Sequence, residues 1–316
     1  MAEEGWERRA LEALANDIVV ERRRARRWSI FFRFLTLGVV AFGLFLMLGN
    51  FAARGHPCTD ACTAVVALDG EIDHDGQASA DNIIEGLKAA FESPGTRGVV
   101  LRINSPGGSP VQAGRIYGEM QRLRAKHPKI PLHAVVEEMA ASGAYYVAAA
   151  ADRIYVDPAS LVGSIGVIID SFGVVDAMEK IGVERRAITA GENKAFLDPF
   201  SPLPDRQRAY AGEMIEDIHR QFIAAVKGGR GDRLKETPEM FSGRVWNGQR
   251  AVELGLADAY GSVESVARDV FQAEEIVDFT PEEDLATRIA RRLGTEAGRF
   301  TLKALRSASF SAPMLR

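Results

Sequence analysis

Residues 98–126 read GVVLRINSPGGSPVQAGRIYGEMQRLRAK, and this stretch decides the fold. Residues 98–103 are dominated by Val, Leu and Ile, which is typical of a buried β-strand. A short loop with two adjacent glycines follows, and residues 111–126 then form a longer helical segment. The order of strand, glycine loop and helix predicts one unit of a parallel α/β sheet.

The same alternation continues on both sides of this stretch. Short β-branched runs alternate with longer helical segments from Thr63 onward, which favours an α/β domain with a mostly parallel buried sheet. We expect this domain to cover residues 63–275. We predict strands at residues 64–68, 98–103, 132–136, 153–156 and 164–168, and helices at residues 79–91, 111–126, 143–150 and 205–227.

Composition excludes several classes of protein. The 316 residues are 47% apolar, enough to bury a full core, so the chain is not a disordered protein. Its net charge of −4 offers no basic field for nucleic acid. Its two cysteines, Cys58 and Cys62, are too few for a disulfide scaffold or a structural zinc site. One short-loop disulfide or two unpaired surface thiols both remain open.

The N-terminal region carries a signal for a membrane anchor. Residues 34–53 contain no charged side chain, and as a helix they would span about 30 Å, the thickness of a bilayer's hydrocarbon core. We predict a transmembrane helix there, with a cleaved signal peptide as the alternative. Arginines crowd its N-terminal side, so the positive-inside bias predicts cytoplasmic residues 1–33 and an extracytoplasmic domain after the linker 54–62. These arginines are Arg22, Arg23, Arg24, Arg26, Arg27 and Arg33.

The C-terminal residues 276–316 form a tail that becomes basic after Leu285. Such a tail can lie on anionic lipid headgroups or touch a neighbouring subunit. A solvated terminus without a partner is the alternative.

Two loops after predicted strands have the composition of a catalytic site. Gly107 and Gly108 permit positive φ angles and a close backbone approach, so their amides can form an anion-binding nest, although a tight turn before a helix is the commoner meaning. Ser142 is flanked by small residues that would let a polypeptide approach its hydroxyl. A serine at the start of a helix is normally only a cap, which is the competing interpretation.

A catalytic serine needs a base, and the histidines offer no convincing triad. A lysine can serve instead when desolvation lowers its pKa. Lys194 is the best candidate because Phe196, Leu197, Pro199 and Phe200 follow it and can cover its amine. The five histidines are His56, His74, His127, His133 and His219.

A set of motifs in order resembles the S49 peptidases, the signal peptide peptidase A family. The resemblance covers residues 64–258, about two thirds of the chain, and implies the fold of the Clp protease and crotonase superfamily. The motifs are INSPGGS at 103–109, ASGAYYVAAAADRIY at 141–155, GSIGV at 163–167, NKAFLDPF at 193–200 and GRVWNGQRAVELGLAD at 243–258.

The resemblance implies a Ser/Lys dyad. It makes Ser142 the nucleophile, Lys194 the general base and Ser164 the residue that holds the lysine amine. It also implies an oxyanion hole formed by the amides of Gly107 or Gly108, together with Gly143. The chain departs from the family pattern at Ala144, where a second glycine is usual, and at Asn193, where an aromatic residue is usual.

The resemblance further implies a serine endopeptidase that needs no metal or cofactor and works at a bacterial inner membrane. Its expected substrates are remnant signal peptides and other apolar peptides, and several copies are expected to form a ring. Two alternatives remain, a non-catalytic membrane scaffold that binds peptides and a crotonase-like acyl-CoA enzyme. The arginine asymmetry around residues 34–53 opposes the latter, which needs access to a cytoplasmic cofactor.

Overall fold

The computed structural model describes residues 22–24, 26–43 and 58–281. The body of the chain is one compact unit, Gly55–Glu282. It is built on an eight-stranded sheet in the order β6-β5-β3-β2-β1-β8; off this path, β4 pairs with β3 and β7 pairs with β4. The strands are β1 (Cys62–Asp69), β2 (Thr96–Ser105), β3 (Leu132–Ala141), β4 (Arg153–Val156), β5 (Leu161–Gly163), β6 (Val245–Asn247), β7 (Ala259–Tyr260) and β8 (Glu275–Asp278).

Seven α-helices occur among the described residues of this body. They are α1 (Ala80–Glu92), α2 (Pro110–Lys126), α3 (Gly143–Ala148), α4 (Val175–Lys180), α5 (Asp205–Arg230), α6 (Gly248–Leu254) and α7 (Val263–Ser265). A 3-10 turn at Gly231–Arg233 follows α5, and a π-helical turn at Val266–Val270 follows α7.

The fold class is confirmed as a mixed α/β domain with a mostly parallel sheet. Every recorded strand pairing is parallel except that of β5 with β6. Four of the predicted strands and all four predicted helices lie where expected, to within a few residues. The short elements α4, α6, α7, β6, β7 and β8 were not predicted.

The strand predicted at residues 164–168 is wrong. The strand in this region is β5, which ends at Gly163. Gly163 has φ 102° and Ser164 has φ 50°, both in the left-handed region, and a chain with these torsions cannot continue as a strand. The residues expected to be a strand therefore form a loop at the end of the sheet.

Strand β3 changes its neighbour halfway along its length. His133 to Val136 pair with β4, whereas Met139 to Ala141 pair with β5. The buried Ser160 stabilises this change because its hydroxyl donates to the Glu137 carbonyl, at 2.5 Å. The end of β3 is thereby placed beside the end of β5.

Apolar side chains fill both faces of the central strands, as expected for a buried parallel sheet. The larger cluster packs β1, β2 and β3 against α1, α2 and α3, and includes Leu101, Ile116 and Tyr145. A smaller cluster on the other face includes Val65, Val100 and Val266.

The described N-terminal residues are helical and exposed. Trp28 contacts the rings of Phe31 and Phe32, with centroids 5.9 and 5.7 Å away. Within the described residues, no helix is both long enough and apolar enough to cross a membrane. Residues 44–53 of the expected span, and the basic tail beyond residue 281, lie outside the described residues. The transmembrane helix stays a prediction.

The two cysteines form a disulfide, which answers a question that the sequence left open. Cys58 and Cys62 are bonded and buried at the start of β1. Gly95 fixes this region through two hydrogen bonds, donating to the Cys58 carbonyl and accepting from the Cys62 amide. The disulfide closes the short loop before β1, and these two hydrogen bonds tie that loop to the turn that precedes β2.

We expect the disulfide to stabilise the domain modestly, because it closes a loop of only a few residues. Reduction should lower the free energy of unfolding by about 2 kcal/mol. Urea unfolding with and without reductant would measure this difference. A variant with both Cys58→Ser and Cys62→Ser should match the reduced parent and ignore reductant. Equal stability of the oxidised and reduced parent would contradict the expectation.

A buried histidine makes the stability of the domain depend on pH. His133 lies on β3 between the rings of Tyr155 and Phe271, with centroids 5.5 and 4.9 Å away. It is 5% exposed, and its Nδ1 has no hydrogen-bond partner among the described residues. Desolvation lowers the pKa of His133 from 6.5 to about 4, although the negative charge of Asp152 acts to raise this pKa.

Because its pKa is depressed in the folded state, neutral His133 contributes stability above pH 6.5 that is lost as the pH falls towards 4. We expect the loss over this window to be about 1 to 3 kcal/mol. Denaturant midpoints measured at several pH values on the parent and on His133→Phe would isolate this contribution from that of the carboxylates. Parallel stability curves for the two proteins would refute it.

Candidate active site

Ser142 occupies a sharp turn between β3 and α3. Its backbone has φ 52° and ψ −125°, a combination that costs a non-glycine residue about 1 to 3 kcal/mol and that persists only where the surroundings enforce it. Gly143 and Ala144, which follow it, are both buried. Strain of this kind clusters at functional sites, so the turn marks Ser142 as a functional candidate.

The hydroxyl of Ser142 is not used as a helix cap. It makes no capping hydrogen bond to α3, and it has no recorded side-chain hydrogen bond with any described residue. The residue is half-buried. The capping role, which was the competing interpretation of this serine, is therefore not realised.

The backbone around Ser142 is held on both sides. Its amide donates to the Gly163 carbonyl at 2.9 Å, and its carbonyl accepts from the Tyr146 amide at 3.0 Å. The buried Tyr145 hydroxyl donates to the Leu256 carbonyl at 2.8 Å and fixes α3 to the body. These contacts enforce the strained torsions of Ser142.

The glycine loop of residues 105–110 lies against the serine. A Cβ atom added to Gly107 would come within 2.9 Å of the Ser142 Cβ and 2.7 Å of the Gly143 nitrogen. A Cβ atom on Gly108 would meet the Ile72 carbonyl oxygen at 2.2 Å. Ile72 donates its amide to the Gly107 carbonyl and accepts from the Ser109 amide, each at 2.8 Å. The close approach, together with φ angles of 98° and 145°, explains both glycines.

The three candidate oxyanion amides differ in their availability. The amide of the buried Gly107 donates to the Ser105 hydroxyl at 3.1 Å, so it is engaged. Neither Gly108 nor Gly143 is a recorded donor to any described residue. A Cβ atom on Gly143 would lie 3.4 Å from the Gly108 nitrogen, so these two amides are neighbours. Of the predicted set, Gly108 and Gly143 are the pair beside Ser142 whose N–H groups donate to no described residue.

Ser164 lies on the turn that holds the Ser142 backbone. It follows Gly163 directly, and its own amide donates to the Arg244 carbonyl at 2.8 Å. Its hydroxyl has no recorded hydrogen bond to Lys194 or to any other described residue. The structure thus brings Ser164, Ser142, Gly108 and Gly143 to one edge of the sheet.

Lys194 is not joined to this group within the single chain. It lies in a turn after α4, its side chain is exposed, and no recorded hydrogen bond links it to Ser142 or Ser164. The apolar cover expected from its neighbours is incomplete, since Phe200 is 45% exposed. The expected desolvation of the amine is therefore absent in the isolated chain.

The acidic neighbours of Lys194 are taken by arginines. Glu192 pairs with Arg206, and Asp198 pairs with Arg185, whose Nε lies 2.7 Å from the carboxylate. A hydrogen bond from Arg206 lowers the pKa of Glu192, and hydrogen bonds from Ser201 and Arg185 lower the pKa of Asp198. No ion pair of Lys194 itself occurs among the described residues.

The segment that carries Lys194 exposes an unusual amount of apolar surface. Helix α4 buries none of its side chains. Isolated apolar residues on a surface are ordinary, whereas this segment exposes several large ones close together in sequence. The large apolar side chains that are exposed within residues 168–203 are Ile168, Ile169, Phe172, Ile181, Val183, Ile188, Phe200 and Leu203.

Two supporting residues of the site were not found from the sequence. Ile72 acts through its backbone, which the residue type does not reveal, and Leu256 acts through its carbonyl. A third, His219, was considered only as a triad member and dismissed. Its ring contacts the Ile165 carbonyl, 54 positions away along the chain. No local pattern could have indicated these contacts.

Comparison with known proteins gives the family. The family model for peptidase family S49 matches residues 124–276. A protein of Brucella melitensis named as a Na(+)/H(+) antiporter is 41% identical over 215 residues, which cover 67% of this chain and 29% of that protein. A putative signal peptide peptidase of Enterococcus faecium is 30% identical over 204 residues, covering 65% of this chain and 59% of that one.

A putative protease of Methanocaldococcus jannaschii is 31% identical over 208 residues, which cover 64% of this chain and 65% of that protein. The chain thus spans less than two thirds of each of these relatives. The residues matched by the family model contain Ser142, Ser164 and Lys194, whereas the glycine loop of residues 105–110 lies before them. On these grounds the chain belongs to peptidase family S49.

Proposed function

We propose that this protein is a membrane-anchored serine endopeptidase with Ser142 as nucleophile and Lys194 as general base. One observation carries the proposal. The Ser142 hydroxyl has no partner among the described residues, and it lies on a strained turn beside the free amides of Gly108 and Gly143. A nucleophile with two adjacent N–H donors is the arrangement that acyl transfer requires.

The reaction proceeds by acyl transfer in two halves. Neutral Lys194 takes the proton of Ser142 as its oxygen attacks a peptide carbonyl, and the amides of Gly108 and Gly143 stabilise the developing oxyanion. Protonated Lys194 then gives its proton to the leaving amine, and an acyl-enzyme remains. Lys194 next activates a water molecule, which releases the second product and restores Ser142. Ser164 holds the lysine amine during these steps.

Assembly of several copies completes the site in this proposal. Lys194 needs a dry environment to be neutral, and the isolated chain leaves it exposed. Its segment also carries the exposed apolar side chains of residues 168–203, which a second copy of the chain would cover. We therefore place the lysine of one copy at the serine of the next, in a closed ring of identical contacts.

The membrane setting is supported by three observations. Arginines precede the charge-free residues 34–53, as expected at a cytoplasmic boundary. The disulfide at Cys58 fits an oxidising, extracytoplasmic compartment. A protein named as an antiporter carries a similar region, and an antiporter works in a membrane. Remnant signal peptides and other apolar peptides are the proposed substrates, and the proposed fold is that of the Clp protease and crotonase superfamily.

The dyad is tested by removing each member separately. We expect Ser142→Ala to abolish cleavage of a fluorogenic apolar peptide and labelling by a fluorophosphonate. Lys194→Ala should lower kcat by about 10²- to 10⁴-fold, the usual contribution of a general base. Lys180→Ala, on the neighbouring helix α4, is the matched control and should behave like the parent.

Cleavage by both dyad variants at the parental rate would overturn the assignment. Peptide binding without cleavage by the parent would instead favour the scaffold. Turnover of an acyl-CoA thioester that survives Ser142→Ala would favour the crotonase-like enzyme, in which the two amides would polarise the thioester.

The shared site is tested by mixing two inactive variants. Co-expressed Ser142→Ala and Lys194→Ala chains should regain activity, because roughly one quarter of the sites in a randomly mixed ring combine an intact serine with an intact lysine. When the Lys194→Ala chain is replaced by a chain that carries both Ser142→Ala and Lys194→Ala, the mixture should show no activity. An inactive mixture, with ring formation shown by sedimentation, would mean that both residues come from one chain.

A further inference from the structure

His219, on the long helix α5, makes a polar contact with the loop beside the candidate nucleophile. Its Nε2 lies 3.1 Å from the carbonyl oxygen of Ile165. A carbonyl only accepts hydrogen bonds, so Nε2 carries the hydrogen in this contact. The same carbonyl accepts from the Gly243 amide at 3.0 Å, and the Ile165 side chain is fully buried. The residue after Ser164 is thus fixed from two directions.

From Ile165 the contacts lead directly to the nucleophile. The amide of Ser164 donates to the Arg244 carbonyl at 2.8 Å, and the carbonyl of Gly163 accepts from the Ser142 amide at 2.9 Å. In the turn formed by Gly163, Ser164 and Ile165, the non-glycine Ser164 has a positive φ of 50°, a strained torsion that persists only where contacts enforce it. A shift of this turn would move both Ser142 and the hydroxyl of Ser164.

The position of His219 along α5 is equally informative. All three buried side chains of the helix, Phe222, Val226 and Arg230, lie after it. The part of α5 before His219 buries none, and it contacts the lysine segment through Tyr210, whose ring centroid is 5.5 Å from that of Phe196. His219 therefore lies at the boundary between the exposed and the buried part of α5. It is positioned between the turn Gly163–Ile165 and the segment that carries Lys194.

We propose that His219 is a positioning residue, which clamps α5 to the turn Gly163–Ile165 and so keeps both the Ser142 backbone and the Ser164 hydroxyl in place. This inference rests on the proposed function, since it assigns a role in the same reaction. His219 does not touch the reacting atoms and is not the base. Its contribution is geometric, and a displacement of about 1 Å at a catalytic group can cost about 10²-fold in rate.

The test compares two substitutions that differ in their ability to donate. His219→Leu removes the donor and should lower kcat about 10- to 100-fold with little change in KM, because alignment and not peptide binding is lost. His219→Gln keeps an N–H donor and should retain most of the activity. Gln221→Leu, an exposed residue two positions along the same helix, is the matched control and should be neutral.

A double-mutant cycle connects the effect to the serine turn. In a Ser164→Ala background, His219→Leu should cost much less than in the parent, since both changes act through one turn. If the fold losses in kcat of His219→Leu and Ser164→Ala multiply in the double variant, the proposal is contradicted. A His219→Leu variant with the parental kcat would contradict it as well. Equal impairment of the Leu and Gln variants, at unchanged melting temperature, would contradict it too.

Hydrogen exchange separates failure of this inference from failure of the dyad. The Ser164 amide should exchange at least about 10-fold faster in His219→Leu than in the parent, whether or not Ser142 is the nucleophile. If Ser142→Ala remains active while this exchange is accelerated, the dyad assignment is wrong and the positioning role of His219 is retained. If Ser142→Ala is inactive while exchange in His219→Leu is unchanged, the positioning role of His219 is wrong and the dyad assignment is retained.

Discussion

The hydrogen bond from the Ser142 amide to the Gly163 carbonyl joins the two loops on which the candidate site depends. Both ends of this bond lie at left-handed torsions, at Ser142 and at Gly163. It forms because β3 leaves β4 halfway and pairs with β5, so that both strands end at the same edge of the sheet. The parallel sheet thus places Ser142 and the turn that supports it at the same edge.

The glycine loop completes this edge by close packing. The Gly107 amide donates to the Ser105 hydroxyl within the loop, whereas the next amide, that of Gly108, donates to no described residue. Ile72 holds the loop against the serine turn through backbone contacts alone. A side chain at Gly107 or Gly108 would collide with neighbouring atoms. Both positions therefore require glycine, so that the backbone of the loop can pack closely against its neighbours.

The segment that carries Lys194 is exposed, in contrast to the packed loops around Ser142. This segment is attached to the body through α5 and leaves its apolar side chains in solvent. The proposed base needs a dry environment, and the described part of the chain does not cover Lys194. In the proposed ring, burial of this apolar surface and desolvation of the lysine are one event, which would confine proteolysis to the assembled protein.

The sequence by itself determined the parallel α/β class, the positions of the main strands and helices, and the family, because hydrophobic periodicity and ordered motifs are local properties. It also indicated Ser142 and the adjacent glycines. Only the tertiary structure decided that the Ser142 hydroxyl is not a cap, that Gly108 rather than Gly107 has a free amide, and that residues 164–168 are a loop. It alone joined Cys58 to Cys62, placed His219 beside Ile165 and left Lys194 exposed. These features depend on contacts between distant parts of the chain, whose geometry is set by packing and by the competition for each hydrogen-bond donor, and no pattern of neighbouring residues encodes them.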